Sequence, residues 1–231
     1  MEVKKLDWDS KFFGLRIGRA VVSAEEDADA LAGQKEMLKD NYDLIYVFAN
    51  HGLAFRSPSA KLIDKKVVYV LRNNSQAEYN KNVIIWNGGR GVTEELLHLA
   101  LVSGKYSRFK LDEDFPAGSY EHLYTHWIEQ SVNRTIATEV FCYMIDNAPK
   151  GLVTLEREDG VGTIGLVAIH EECQNRGIGS LMMRHVIKYA QQLGCEQLSV
   201  ATQFNNLPAC KLYEKNGFII DSVTDVWHWW M

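Results

Sequence analysis

The chain has 231 residues, 46% of them hydrophobic and 24% charged, and a formal net charge of -5. That is the balance of an ordinary folded protein long enough to bury a core without staples. Its acidity argues against a general nucleic-acid surface, so any polyanion would need local donors. Cys142, Cys173, Cys195 and Cys210 form no Cys-x-x-Cys pair and no metal-ligand spacing, the pattern of reduced cytosolic thiols. No apolar run approaches the ~18 residues of a membrane span, and the first residues lack a signal-peptide core. The expectation is a soluble cytoplasmic protein with no metal, nucleic-acid or membrane partner.

In chain order, Ile17–Val22 reads as a strand, Ala28–Lys39 as a helix carrying Leu31, Met37 and Leu38, and Asp43–Ala49 and Lys66–Leu71 as strands. These predict a small α/β domain over residues 1–78. The polar stretch Asn73–Asn82 is the candidate linker, and residues 79–231 form the second domain. There Val83–Trp86 reads as a strand, followed by a turn at Gly88–Gly91. Thr93 is placed to cap a helix carrying Leu96, Leu97, Ala100 and Leu101 that ends at Gly104. Ser119 is placed to cap another, with Leu123, Trp127 and Ile128 on one face. Glu139–Ile145, Gly151–Glu156 and Thr163–Ile169, separated by Asp146-Asn147 and Asp159-Gly160, read as an antiparallel meander. A helix (Gly179–Leu193), a strand (Gln197–Thr202), a helix (Asn206–Asn216) and a final strand region (Phe218–Met231) complete the chain, the last strand being a candidate dimer edge.

The chemistry concentrates in Ile164–Leu193. A buried strand runs into Gln174-x-x-Gly177-x-Gly179, then into a helix whose Met182, Val186, Ala190 and Leu193 form one apolar stripe. Such a turn leaves backbone N–H groups unpaired at the helix start, where the helix dipole favours negative charge. Gly177 and Gly179 allow close approach of a pyrophosphate, and Arg176 adds a cation. A plain helix start is the competing reading of this turn alone.

Gln-x-x-Gly-x-Gly after a strand resembles the central motif of the GNAT superfamily of N-acetyltransferases. Asn206-x-x-Ala209-x-x-Leu212-Tyr213-Glu214-Lys215-x-Gly217-Phe218 resembles the family's second signature, in the right order, and the likeness covers about residues 83 to 231. The resemblance implies a mixed, mostly antiparallel sheet flanked by helices, an α/β (α+β) fold, with acetyl-CoA as cosubstrate. It implies that the backbone of Arg176, Gly177, Ile178, Gly179 and Ser180, with Gln174, holds the CoA pyrophosphate. It further implies that the Leu166–Ile169 strand splays from Leu198–Thr202, so that pantetheine pairs with the backbone near Val167 and Ile169, in the manner of a strand added to a sheet edge. Asn206 matches an asparagine that bonds the pantetheine region; helix capping is its alternative. Tyr213 matches a tyrosine that protonates the departing thiolate. A thiol near pKa ~8.5 and a tyrosine near ~10 make that transfer feasible in a dry site, and such an acid contributes ~10²–10⁴-fold. Glu139, Glu156 or a water chain are the candidate bases.

For the acceptor, Leu6–Gly14, Ser107-Arg108-Phe109, Tyr124-x-x-Trp127-Ile128-x-x-Ser131 and Val200–Gln203 with Asn205-Asn206 resemble bacterial acetyltransferases of nucleotide-linked amino-deoxy sugars. That likeness implies a small-molecule amine acceptor, with Arg108 on its diphosphate and Phe109 or Tyr124 against its base or sugar. The alternatives are another small-molecule amine, a protein N-terminus, or a non-catalytic acyl-CoA-binding module. The aromatic Trp227–Trp230 run fits either an acceptor site or a subunit contact.

Overall fold

The computed structural model describes residues 2–72 and 77–231. Residues 73–76 of the expected linker lie outside the described residues. Among the described residues no helix is long and apolar enough to cross a membrane.

Among the described residues, ten strands form one sheet. In chain order they are β1 (Lys4–Lys5), β2 (Ile17–Val22), β3 (Leu44–Asn50), β4 (Ala60–Arg72), β5 (Val83–Ile85), β6 (Glu139–Ile145), β7 (Ala148–Glu158), β8 (Val161–Ile169), β9 (Gln197–Gln203) and β10 (Ile219–Trp230). Across the sheet the order is β1-β2-β3-β10-β4-β9-β8-β7-β6-β5. The β2–β3 and β8–β9 pairs are parallel; the other pairs among the described residues are antiparallel. The boundary expected near residue 78 separates β4 from β5, while the sheet runs across it.

β3 reads as a continuous apolar run because both of its faces are covered. Leu44 and Tyr46 face one cluster, Ile45, Val47 and Ala49 another. The second cluster lies under α2 (Glu25–Ala32) and holds Trp229 and Phe55. The first lies under α1 (Asp7–Phe13), α4 (Glu94–Ser103) and α6 (Ser119–Val132). A third cluster packs α7 (Ile178–Gln192) and α8 (Leu207–Lys215) onto β4, β8 and β9. Trp8 stacks on Phe12, and Phe12 on His122, so the N-terminal aromatics tie α1 to α6.

Several elements depart from expectation. The helix expected over Ala28–Lys39 is two, α2 and α3 (Lys35–Leu38), broken at Gly33 and Gln34. Glycine lowers helix propensity there, and of the apolar residues in the second piece only Leu38 packs against the core, Met37 being 67% exposed. Ser119 does not cap α6. It is the first helical residue, and Gly118, at φ 81°, stands before it. Thr93 does cap α4, its side chain accepting from the Leu96 N–H at 3.3 Å. From Thr224 onward β10 is interior, paired with β3 on one side and β4 on the other, so an open edge is left only at its start, where it pairs with β4 alone. Its aromatic run is split by strand alternation: Trp229 packs in the cluster under α2, and Trp230 packs against the cluster on the opposite face.

Candidate active site

The sheet opens in the middle. β8 pairs with β9 only from Val161↔Gln197 to Ile164↔Val200. β9 stays paired to β4 as far as Gln203↔Lys66, and β8 to β7 as far as Ile169↔Gly151. Both strands therefore continue while the space between them widens. The Leu166 N–H donates to Thr154 Oγ1 at 2.8 Å and the His170 N–H to the Lys150 carbonyl at 2.9 Å, both toward β7. Backbone alternation turns the intervening Val167 and Ile169 N–H groups toward the gap. The Ile169 carbonyl accepts from Gln174 Nε2 at 2.9 Å, which fixes the chain as it leaves β8.

The following turn lies at the mouth of this gap. A short 3-10 helix over Glu171–Cys173 leads to Gln174, Asn175 (φ 60°), Arg176 and Gly177 (φ 79°, ψ -2°), and α7 begins at Ile178. The Leu181 N–H closes the first helical bond onto the Gly177 carbonyl at 3.1 Å. The N–H groups of Ile178, Gly179 and Ser180 lie in the turn that has no intrahelical acceptors, at the positive end of a fifteen-residue helix. Gln174 to Gly177 are exposed, so an anion has open access.

The two glycines serve different ends. A Cβ at Gly177 would meet nothing within 4 Å, and it is the positive φ that requires glycine. A Cβ at Gly179 would stand 3.2 Å from Leu212 Cδ1 and 3.8 Å from Ile169 Cγ1. Gly179 thus lets α7 approach α8, a packing duty beyond the phosphate clearance expected of it. Ser180 is buried, and its Oγ accepts from Asn216 Nδ2 at 3.3 Å.

Asn206 caps α8. Its side-chain oxygen accepts from the Ala209 N–H at 3.4 Å, and its Nδ2 donates to Thr202 Oγ1 at 3.2 Å. The capping alternative is therefore realised, with one amide hydrogen left over. Tyr213 is only 3% exposed, its ring 5.6 Å from Tyr69 and 5.9 Å from Phe218. Burial pushes its hydroxyl well above the usual tyrosine range, so it stays protonated as a donor must. The neighbouring Tyr69 hydroxyl donates to Glu214 Oε1 at 2.9 Å.

On the opposite face, β4 turns Asp64, Lys66 and Val68 away from the α7–α8 core, which takes Val67, Tyr69 and Leu71 instead. Ala201, opposite Val68, is exposed although β9 is an interior strand. The sheet floor at the open end of the gap is therefore uncovered. α5 (Arg108–Leu111) brings Arg108 over this floor. Its guanidinium lies 4.2 Å from the Tyr46 ring centroid, 4.8 Å from Phe109 and 5.7 Å from Phe48. Burial pushes the Asp64 carboxyl up to about 6 against the pull of Arg108 and Lys66. Burial, and then the charges of Arg108 and Arg19, lower Lys66.

Sequence reasoning found Arg108 and missed Tyr46, Asp64 and Lys66, which reach it from strands far away in the chain. Phe109 and Tyr124, expected to face an acceptor, pack into the cluster under α1, α4 and α6, Phe109 half-buried and Tyr124 buried within the electrostatic reach of Arg108 and Asp64. Phe109 packs on Phe13 at 5.3 Å and Phe115 at 5.5 Å; Tyr124 packs on Tyr120 and Trp127, each at 4.9 Å. On the site side Phe109 contacts the Arg108 guanidinium and lies 6.5 Å from the Tyr46 ring. Of the candidate bases, Glu139 pairs with Arg134 and accepts from the Tyr189 hydroxyl at 3.0 Å, and Glu156 is exposed on β7.

Comparison with known proteins is consistent with this geometry. The profile of the acetyltransferase (GNAT) family matches residues 105–218. The dTDP-fucosamine acetyltransferase of Escherichia coli O6:H1 is 26% identical over 231 aligned positions, covering 95% of this chain and 94% of that protein. Among solved structures, a functionally unknown conserved protein from Staphylococcus epidermidis shares the fold with a TM-score of 0.66 at 12% identity, over 99% of this chain and 90% of that one. A GCN5-related N-acetyltransferase from Kribbella flavida does so with a TM-score of 0.55 at 12% identity, over 91% and 80%. Acetyl-CoA is the donor that the family uses. The chain is an acyltransferase that carries a GNAT-family acetyltransferase domain.

Proposed function

We propose that the protein transfers the acetyl group of acetyl-CoA to the amine of a nucleotide-linked amino-deoxy sugar by direct attack in a ternary complex. The observation that carries the donor half is the parting of β8 from β9 beside an exposed helix-start turn. A pantetheine arm fills the gap as an added strand, on the Val167 and Ile169 backbone. The pyrophosphate rests on the N–H groups of Arg176 to Ser180, with Gln174 bracing the turn, and Asn206 offers its remaining amide hydrogen to the arm. Likeness over nearly the whole chain to a dTDP-fucosamine acetyltransferase supports the acceptor half, together with Arg108 on an uncovered floor at the open end of the gap.

In this reading the neutral amine attacks the thioester carbonyl and forms the C–N bond. A backbone N–H on the Val167–Ile169 strand stabilises the oxyanion that develops. Collapse breaks the C–S bond, Tyr213 protonates the leaving thiolate, and the proton lost from nitrogen passes to water. A panel of dTDP- and UDP-amino sugars, assayed by thiol release against peptides and polyamines, tests it. Turnover of an amino sugar is expected. Turnover confined to peptides or polyamines removes the acceptor assignment, and acetyl-CoA binding without turnover of any amine removes the enzyme reading.

A further inference from the structure

Among the described residues, five fully buried side-chain polar atoms lack a hydrogen-bond partner: Tyr46 Oη, Asp64 Oδ1, Trp227 Nε1, Trp229 Nε1 and His228 Nε2. Three of these five belong to residues that feel the charge of Arg108: Tyr46, Asp64 and His228. Native interiors satisfy their polar groups, so an unpaired carboxylate oxygen near a guanidinium calls for an explanation. His228 and Tyr46 are sealed, at 0% and 1% exposure. Asp64 as a residue is only half-buried, and it stands on the uncovered floor.

The chemistry of the pair narrows what fits. A carboxylate only accepts hydrogen bonds, and a guanidinium only donates them. An ammonium would satisfy Asp64 but meet the cations Arg108, Lys66 and Arg19. A phosphate would satisfy Arg108, Lys66 and Arg19 but, being an acceptor itself, would leave the Asp64 oxygen without a donor. A hydroxyl donates to one and accepts from the other. Neighbouring ring hydroxyls, with an apolar sugar face toward the Phe48 ring, suit both partners. Position agrees: Lys66 lies opposite Gln203 at the end of β9, and Asp64 is two residues, ~7 Å, further out along β4. A ring held there leaves an amine substituent free to reach back to the gap.

We infer that Asp64 and Arg108 bracket the hydroxyl groups of the acceptor, which makes Asp64 a specificity-determining residue for a polyhydroxylated amine. The inference rests on the amino-sugar reading and gives Arg108 a ring hydroxyl in place of the diphosphate.

The test compares wild-type protein with Asp64→Asn and Asp64→Ala at saturating acetyl-CoA, using an amino-sugar nucleotide and an unhydroxylated alkylamine as acceptors. Removing the charge from one end of a hydrogen bond is expected to raise KM for the amino sugar at least ~10-fold, with kcat within a few-fold and no comparable rise in KM for the alkylamine. Amino sugars that lack single ring hydroxyls, tested on the wild type, should show the same loss without any substitution. Amino-sugar turnover with KM indifferent to both variants and to the deoxy analogues overturns the bracketing and leaves the acceptor class standing. Turnover of unhydroxylated amines alone, or of no amine, overturns both.

Discussion

Asp64→Asn should stabilise the protein at neutral and alkaline pH, although the change removes a residue assigned to the site. The Asp64 carboxyl is raised from 3.8 to about 6, with burial as the largest cause. A raised carboxyl holds its proton more tightly when folded. Its contribution to stability is therefore complete below about pH 4 and is lost as the pH climbs through about 6. Two pH units at about 1.4 kcal/mol each place the cost of ionised Asp64 at up to about 3 kcal/mol above pH 7. An amide carries no such charge and resembles the protonated acid in shape. For a protein of this size each kcal/mol moves Tm by about 2–4 °C, so the variant should melt several degrees above wild type at pH 8. The difference should shrink toward nothing near pH 4. Calorimetric melts of both proteins from pH 4 to pH 8 measure it. A variant that melts at or below wild type at pH 8, or a difference that does not vary with pH, would refute the reasoning. A stabilising loss of function is the mark of a charge kept in place for binding.

Tyr213→Phe should lower kcat at least ~10-fold with acetyl-CoA affinity largely kept, read by steady-state kinetics and titration; an unchanged kcat takes Tyr213 out of the mechanism. Gly177→Val should weaken acetyl-CoA binding, because it forces a β-branched residue into φ 79° and distorts the turn that presents the N–H groups; equal affinity in a thermal-shift titration would show the turn to be no phosphate site. Gly179→Val should act differently, lowering Tm even without cosubstrate, because the added side chain drives α8 away at Leu212. A Tm equal to wild type would mean that α7 and α8 do not pack as described.

What was legible in the sequence was what is local. The meander of β6, β7 and β8, the apolar stripe of α7, and the residues from Gln174 to Gly179 and from Asn206 to Phe218 each declare themselves within a short span. Their period, caps and turns are set by neighbours in the chain. What escaped depends on sheet order. β4 lies between β9 and β10, so Asp64 and Lys66 reach Arg108, more than forty residues away in the chain, only once that order is known. The same insertion makes β10 interior from Thr224 onward and turns its aromatic run into core. Gly179 was assigned to phosphate clearance because Leu212, which it accommodates, belongs to the other helix.

The donor site is the central claim, and amide hydrogen exchange with and without acetyl-CoA tests it most directly, since exchange protection reports on individual backbone N–H groups. Binding should protect two separated sets at once: Val167 and Ile169 along the open edge of β8, and the N–H groups from Arg176 to Ser180 at the start of α7. Binding that leaves both sets unchanged, or protects residues elsewhere in their place, would contradict the account.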